Sequence, residues 1–234
     1  MTSTDKPSAQ TLLQRYQSIM AELAGHQRPS GDDPVDLLAV SKYAPDEAVQ
    51  VLIDAGHMRF GESRPQNLRD RATRWPDCEW HMIGPVQKNK AKYIGRHAAM
   101  WHSCANLDTA RAVARHVQGR VLPVLIQINM ANVEGQSGIS PDALTDFAQS
   151  IAEIDGLQLS GLMCMGPKDG DTRQAFQALR TLRDKLFAPG SAHADGILCM
   201  GMSGDYPIAV EEGASMVRLG STLFGDWDVR RSST

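Results

Sequence analysis

The 234-residue sequence lacks the features that mark several large classes of protein. Its charges nearly balance, with 24 Lys and Arg against 27 Asp and Glu, so no positive excess is present to hold a nucleic acid or an anionic membrane. The longest apolar run, residues 121–133, is interrupted by proline and polar residues and is shorter than the roughly 18 residues of a membrane-spanning helix. Glycine-rich nucleotide-binding motifs and the serine-hydrolase motif are also absent. We therefore expect a protein that binds neither nucleic acid nor membrane.

Cysteine is scarce and unpaired in the sequence. The four cysteines (Cys78, Cys104, Cys164 and Cys199) form no Cys-x-x-Cys pair and no local cluster with histidine. Residues 1–34 are polar and lack the apolar core of a secretory signal. We therefore predict free thiols, two of them packed in core strands, and a cytoplasmic protein.

What the sequence does contain is a regular alternation of short apolar runs and helical segments. An amphipathic helix is predicted over residues 11–24, and a polar connector with proline and glycine follows over residues 26–34. Beyond it, eight strands are predicted, at residues 37–41, 58–61, 79–83, 100–103, 122–129, 157–163, 197–200 and 216–219. Helices are predicted between them, at residues 46–55, 64–73, 88–96, 107–116, 142–154, 172–187 and 208–212.

This alternation predicts an α/β fold with a parallel sheet. About 25 residues fall to each unit, close to the roughly 30 of a typical (β/α)8 barrel. We therefore predict a single (β/α)8 TIM barrel over residues 35–228, preceded by an extra N-terminal helix and connector (1–34) and followed by a frayed tail (229–234). An open, doubly wound sheet is the alternative, since one predicted strand could be false.

The end of the first predicted strand delivers a lysine to the face where barrels hold their functional residues. Lys42 directly follows the apolar run Leu-Leu-Ala-Val-Ser. A lysine in an apolar pocket favours the neutral amine, which attacks a carbonyl group to form a Schiff base. The alternative is a solvated lysine that begins a loop, because Tyr43 and a proline follow nearby.

Two loops rich in glycine and serine follow the seventh and eighth predicted strands. Ser203 and Gly204 lie in the first loop, and Gly220 and Ser221 lie in the second. Glycine lets backbone N–H groups approach an anion, hydroxyl groups add donors, and these two loops are a frequent phosphate site in barrels. A lysine and a phosphate site together suit either covalently bound pyridoxal 5′-phosphate (PLP) or a phosphorylated sugar in a lysine aldolase.

One charged residue and one histidine lie in apolar predicted strands, and a second charged residue follows the end of another strand. Arg218 needs a partner there, and either an anionic ligand or an ion pair with a carboxylate such as Glu62 would supply one. His81 is predicted to be a hydrogen-bonded core or rim histidine, because no second ligand lies at metal-binding spacing in the sequence.

Together these residues resemble the pyridoxal phosphate homeostasis proteins, the YggS/PROSC-like family. The resemblance covers nearly the whole chain and rests on Leu-Ala-Val-Ser-Lys (38–42), Phe-Gly-Glu (60–62), Trp-His-Met-Ile-Gly-Pro-Val-Gln-Lys-Asn-Lys (80–90), Ile-Asn (128–129), Ser-Gly (137–138), Gly-Leu-Met (161–163), Gly-Met-Ser-Gly-Asp (201–205), Val-Arg-Leu-Gly (217–220) and Phe-Gly (224–225).

The resemblance implies a barrel of the alanine-racemase kind (fold type III), with PLP held as a Schiff base on Lys42. It further implies that the phosphate lies on Ser203, Gly204, Gly220 and Ser221, and that Arg218 lines the cofactor, on either the ring nitrogen or the phosphate.

This sequence departs from the family pattern at two positions. The family usually has asparagine where Ser63 stands, so an amide contact near the cofactor is replaced by a hydroxyl or lost. It often has lysine where Gln136 stands, so a second Schiff-base site at that position is not expected.

The function that the resemblance implies is PLP homeostasis without catalytic turnover. In this reading the protein is a cytoplasmic monomer that holds PLP and passes it to PLP-dependent apoenzymes. Two alternatives stay open. The first is an amino-acid racemase, although the second domain of such racemases is missing and only a loop tyrosine, Tyr43 or Tyr206, could act as the second base. The second is the lysine aldolase, which would need another acid or lysine deep in the barrel.

Overall fold

A computed structural model describes residues 8–26, 34–130, 137–167, 169–188 and 196–228. Within this part of the chain, eight parallel strands follow one another in sequence order around a closed barrel, and the last strand pairs with the first. The prediction of a (β/α)8 barrel is therefore confirmed. The alternative of an open sheet is wrong, because an open sheet would leave two edge strands unpaired. The predicted tail, most of the predicted connector and Gln136 lie outside the described residues.

The strands and helices lie close to their predicted positions. The strands are β1 Asp36–Val40, β2 Arg59–Glu62, β3 Glu79–Met82, β4 Met100–Cys104, β5 Leu122–Ile128, β6 Leu157–Cys164, β7 Ile197–Cys199 and β8 Met216–Leu219. The helices are α1 Ala9–Gly25, α2 Asp46–Asp54, α3 Pro65–Arg74, α4 Ala91–His97, α5 Leu107–Ala114, α6 Leu144–Ala152, α7 Thr172–Leu186, α8 Tyr206–Glu211 and α9 Ser221–Phe224.

Every predicted helix begins and ends within three residues of its predicted bounds, and three differences from the prediction have a local cause. The helix predicted from residue 88 begins as a 3₁₀ turn, Lys88–Lys90, before α4. Helix α8 begins at Tyr206, two residues early, because Pro207 is well suited to the first turn of a helix. The single turn α9 was not predicted, since four residues are too few to show a helical period.

Successive side chains along each strand point alternately outward and inward, so the barrel has an outer core and an inner core. Leu37 and Ala39 belong to the large core between the sheet and the helices. Leu38 belongs to a smaller cluster inside the barrel, whose other members are Leu125, Met163, Cys199 and Met216. Lys42 follows β1 in the turn after Val40 and Ser41, so it lies at the carboxyl end of this strand.

Helix α1 packs across the helices that follow β7 and β8. The Tyr206 hydroxyl donates to Oε2 of Glu22 at 2.7 Å, which ties α1 to α8. Arg15 donates to the carbonyl of Phe224 and pairs with Asp226 at 3.2 Å, which ties α1 to the end of α9. The extra N-terminal helix thus braces both segments that carry the predicted phosphate loops.

None of the described helices combines the length and the apolar composition that crossing a bilayer requires.

Candidate functional site

The predicted site residues lie at the carboxyl ends of three neighbouring strands, β7, β8 and β1. Arg218 on β8 is in register with Leu38 on β1, and its backbone N–H donates to Gly201 at the end of β7. Gly220 lies against Val40, since a Cβ built on this glycine would be 3.5 Å from the Cβ of that valine. The sequence-predicted set, Lys42, Ser203, Gly204, Arg218, Gly220 and Ser221, is thus gathered at one side of the barrel mouth.

Lys42 lies in a tight turn that a partly buried arginine holds in place. The N–H of Ala44 donates to the carbonyl of Ser41 at 2.8 Å, which closes the turn around Lys42. From α3, Arg71 donates to the same Ser41 carbonyl at 3.1 Å and to the Ala44 carbonyl at 2.6 Å. The lysine is half-buried, with its ammonium 5.2 Å from the centre of the Tyr43 ring. Arg71 therefore fixes the backbone on both sides of Lys42.

Glu62 is the counter-ion of this arginine. Its Oε1 accepts from the Ser41 hydroxyl at 2.7 Å and lies 3.0 Å from the Arg71 guanidinium. The carboxylate is fully buried, and burial raises its pKa in spite of Arg71. Sequence analysis did not identify Arg71, because it belongs to a charge-rich helix that resembles an ordinary solvated one.

The two candidate phosphate loops are joined to each other. The Ser203 hydroxyl accepts from the backbone N–H of Thr222 at 3.2 Å, and the Thr222 hydroxyl donates to the Ser203 carbonyl at 3.3 Å. A Cβ built on Gly204 would have no other atom within 4 Å, so this loop borders open space. Two linked loops with hydroxyl groups and an open glycine can approach an anion with backbone and side-chain donors.

Arg218 is a buried cation inside the barrel, with 5% of its surface exposed. Its Nη1 donates to the Cys199 carbonyl at 3.1 Å and to the Cys199 sulfur at 3.3 Å, and its Nη2 donates to the Cys164 carbonyl at 2.8 Å. Among the described residues no carboxylate oxygen lies within 4.0 Å of it to form an ion pair. A guanidinium has five N–H donors, so two remain for a ligand.

The sequence analysis left open an ion pair between Arg218 and Glu62, and the structure rules this alternative out. Glu62 faces outward toward α3, where Arg71 and Ser41 use its Oε1. Arg218 faces inward, where its described partners are backbone carbonyls and a thiol. Strand β1 lies between the strands that carry the two residues, and their side chains point to opposite faces of the sheet, which keeps the two charges apart.

The cysteines and His81 are more buried and more connected than predicted. All four cysteines are free and buried, and three of them lie in strands instead of the predicted two. His81 is confirmed as a hydrogen-bonded core histidine, since its Nδ1 lies 2.9 Å from Nε2 of His102. His102 in turn contacts the sulfur of Cys199 at 3.3 Å. Sequence analysis missed this group.

Lowering the pH from 7 to 5 is expected to destabilise the protein through His102. Burial, together with the nearby His81 and Arg218, lowers its pKa well below the usual value in the folded protein. An unfolded histidine titrates near about 6.5, so unfolding below that pH takes up a proton. At pH 5 this one residue lowers the free energy of unfolding by up to about 2 kcal/mol.

Urea denaturation at a series of pH values measures this effect. As the pH is lowered from 7 to 5, the free energy of unfolding of His102→Gln should decrease less steeply than that of the wild type. Glu62 has a raised pKa in the folded state, so its protonation stabilises the folded protein as the pH falls. This opposite effect is present in both proteins and cancels when they are compared. Equal slopes would show that His102 takes up no proton on unfolding, which would contradict a lowered pKa in the folded state.

The residues at the barrel mouth fit the PLP that the family resemblance implies. Lys42 offers an amine, the buried Arg218 offers two N–H donors without a described carboxylate partner, and the linked loops offer anion donors. PLP has an aldehyde, a ring nitrogen and a phosphate, so each feature of the cofactor has a complementary group at this end of the barrel.

Comparison with known proteins gives the same family. The family "Alanine racemase, N-terminal domain" matches residues 19–228. Among curated proteins, the "Pyridoxal phosphate homeostasis protein" of Aquifex aeolicus is 33% identical over 222 residues, covering 92% of this chain and 95% of that protein. The protein of the same name from Deinococcus radiodurans is 38% identical over 198 residues, covering 81% of this chain and 88% of its own length.

Solved structures agree with this assignment. PipY of Synechococcus elongatus, determined with PLP bound, is 31% identical, with a TM-score of 0.77 and coverage of 92% of this chain and 100% of that one. An alanine racemase of Clostridium difficile shares the fold at 15% identity and a TM-score of 0.69, and the match covers 93% of this chain but 55% of the racemase. The chain therefore belongs to the pyridoxal phosphate homeostasis protein family, whose barrel is that of the alanine racemase N-terminal domain.

Proposed function

We propose that this protein binds PLP as a Schiff base on Lys42 and serves PLP homeostasis in the cell. One observation carries the proposal: the ends of β7, β8 and β1 supply an amine, a buried guanidinium and two linked loops side by side. The PLP carried by PipY and the names of the curated relatives support the same cofactor.

Each group has a distinct task in this proposal. Lys42 would hold the cofactor through its amine, which can form a C=N bond with the aldehyde while the carbonyl oxygen leaves as water. Ser203, Gly204, Gly220 and Ser221 hold the phosphate through hydroxyl and backbone N–H donors. Because the phosphate is assigned to these loops, Arg218 would be left to donate to the ring nitrogen, one of the two partners that the family resemblance allows.

The identity of Arg218 favours retention of PLP over turnover. A guanidinium is permanently charged and does not give up its proton, so it keeps the ring nitrogen unprotonated. An unprotonated ring is a weaker electron sink, which suits a protein that stores the cofactor better than one that withdraws electrons through it.

Tyr206 gives further support for a role without racemase turnover. It is one of the two loop tyrosines that could have acted as a second base, yet its hydroxyl is bound to Glu22 of α1. Burial and this carboxylate raise the pKa of Tyr206 to about 12, which opposes the phenolate that a base needs. We expect no exchange of the α-proton of alanine at ordinary enzyme rates, measured by NMR in deuterated water.

The proposal is tested by the absorbance spectrum of the freshly purified protein, followed by borohydride reduction and peptide mass mapping. We expect a visible band and a reduced pyridoxyl adduct on the peptide that contains Lys42. A colourless protein that cannot be reconstituted with PLP would overturn the proposal.

Ser203→Ala is expected to weaken PLP binding about tenfold, because one charge-assisted hydrogen bond to the phosphate is lost. The fold should persist, since the described contacts that Ser203 makes through its hydroxyl are limited to the loop residue Thr222. Titration of the apoprotein with PLP, followed by absorbance, measures the dissociation constant.

The matched control for this variant is Ser150→Ala. Ser150 is on α6, where its hydroxyl donates to the carbonyl of Asp146 at 2.9 Å, away from the strand ends that form the site. The control should bind PLP as the wild type does. Unchanged affinity in Ser203→Ala as well would remove Ser203 from the phosphate site.

We further propose that the protein is a cytoplasmic monomer that passes PLP to apoenzymes. Its four free thiols suit a reducing compartment. The large apolar side chains exposed among the described residues are scattered, at Met20, Met58, Val121, Met165 and Met202. Light scattering of the purified protein measures the oligomeric state, and a dimer mass would contradict the monomer.

A further inference from the structure

A line of polar side chains crosses the interior of the barrel behind Arg218. Arg218 on β8 contacts the sulfur of Cys199 on β7 at 3.3 Å, and this sulfur lies 3.3 Å from Nδ1 of His102 on β4. Nε2 of His102 lies 2.9 Å from Nδ1 of His81 on β3. All four residues are buried. Five residues, counting Glu79 at the far end, form what we call the relay.

Glu79 ends the relay at the opposite face of the barrel. It is the first residue of β3, its side chain is half exposed, and its Oε2 lies 3.7 Å from Nε2 of His81. Arg59 donates to the same oxygen at 2.9 Å. Contacts with His81 and Arg59 lower the pKa of Glu79 to about 2, so it remains an anion that can only accept.

The charged groups at the two ends of the relay favour one direction for the hydrogen bonds between them. A guanidinium only donates, so the Cys199 sulfur accepts from Arg218. The thiol is protonated, because burial raises its pKa, and its own S–H is then left to donate to Nδ1 of His102. His102 therefore carries its proton on Nε2 and donates to Nδ1 of His81. His81 likewise carries its proton on Nε2, on the side of Glu79.

We propose that Cys199, His102 and His81 are positioning residues that hold the Arg218 guanidinium in one orientation toward the PLP ring. The inference rests on the proposed function for its cofactor, but the relay itself is a property of the chain. Removing the Cys199 side chain would leave Arg218 and His102 each without one partner in a buried site, where an unmade hydrogen bond is costly.

The direction of the relay is tested first in the full-length protein without PLP. Long-range ¹H–¹⁵N correlation NMR distinguishes the protonated from the unprotonated nitrogen of each imidazole ring. We expect protonated Nε2 and unprotonated Nδ1 in both His81 and His102, assigned by His→Gln variants. A proton on Nδ1 of His102 would overturn the relay, whether or not the protein binds PLP.

The effect on the cofactor is tested with three cysteine variants, by PLP titration and by the absorbance spectrum of the bound cofactor. Cys199→Ala should weaken PLP binding about tenfold and shift the absorbance maximum. Cys199→Ser keeps a hydroxyl that can both donate and accept, and should restore both properties. Cys164→Ala is the matched control: its thiol lies in the outer core, while its backbone carbonyl still accepts from Arg218.

The possible results separate the two proposals. A wild-type protein that binds no PLP would refute the proposed function, while the NMR experiment would still decide the relay. If the wild type binds PLP and Cys199→Ala matches Cys164→Ala in affinity and spectrum, the positioning role is wrong. Should Cys199→Ala fail to fold, Cys199→Val, which fills the same space with apolar atoms, takes its place in the comparison with Cys199→Ser.

Discussion

Replacing Lys42 with alanine is expected to abolish the covalent PLP adduct completely. Lys42 is the lysine that the turn after β1 holds at the barrel mouth, and none of the eight described strands contains another lysine that could replace it. Without an amine the aldehyde has no group with which to form a C=N bond, and PLP keeps its phosphate and ring contacts alone. Borohydride reduction followed by intact mass measurement should show the pyridoxyl adduct in the wild type and none in Lys42→Ala.

Two controls accompany this variant. Lys88→Ala removes an exposed lysine on the 3₁₀ turn after β3, where the side chain lies 3.7 Å from Asp108, and should keep the full adduct. Lys42→Arg keeps length and positive charge but cannot form the Schiff base, so it separates covalent attachment from electrostatic attraction. An adduct of wild-type yield in Lys42→Ala would move the attachment site to another residue.

The barrel could be predicted from sequence because each of its units repeats the same two signals. A short apolar run such as residues 122–129 is too short for a helix, and the segment after it has a helical period, so strand and helix can be told apart. The count of eight such units then favours a closed barrel over an open sheet. The ends of helices and strands were less predictable, as α9 shows. Hydrogen bonds between loops determine where such short elements begin and end, and these bonds produce no periodic pattern in the sequence.

Sequence reasoning located the residues at the strand ends but missed the contacts between distant strands. Cys199 and His102 are 97 residues apart in the chain, and only the closed barrel brings their inward faces together. Inward-facing polar residues in otherwise apolar strands, His81 and His102 among them, are the signal that could have indicated the relay. To use this signal, one would have had to assign the inward-pointing face of each strand and then place those faces next to one another in the closed barrel.

Arg71, which is partly buried, and Arg218, which is buried, are cations with two different uses. Arg71 has a carboxylate partner in Glu62 and two carbonyls of the Lys42 turn, so its charge is balanced by the protein itself. Arg218 has carbonyls and a thiol but no described carboxylate within ion-pair distance. A buried charge that the protein does not balance is costly unless a ligand pairs with it. The first arginine therefore serves the fold, and the second is available to the cofactor.

This distinction gives the largest expected effect on stability. Arg71→Met is expected to lower the free energy of unfolding by about 3–5 kcal/mol, because it leaves the fully buried Glu62 without its counter-ion. Methionine keeps most of the apolar volume of the arginine stem, so the loss reports the charge and the hydrogen bonds to the Lys42 turn. Urea denaturation of the protein without PLP measures the change.

Arg74→Met is the matched control on the same helix. Arg74 pairs with Asp46 at the surface, where both side chains are well exposed, and such pairs contribute about 0–1 kcal/mol. The double variant Arg71→Met with Glu62→Gln should recover part of the loss, because a buried amide without a charge is cheaper than a buried carboxylate. If Arg71→Met were as stable as Arg74→Met, Glu62 would have to be protonated in the wild type. In that case Arg71 would hold the Lys42 turn through the two backbone carbonyls alone.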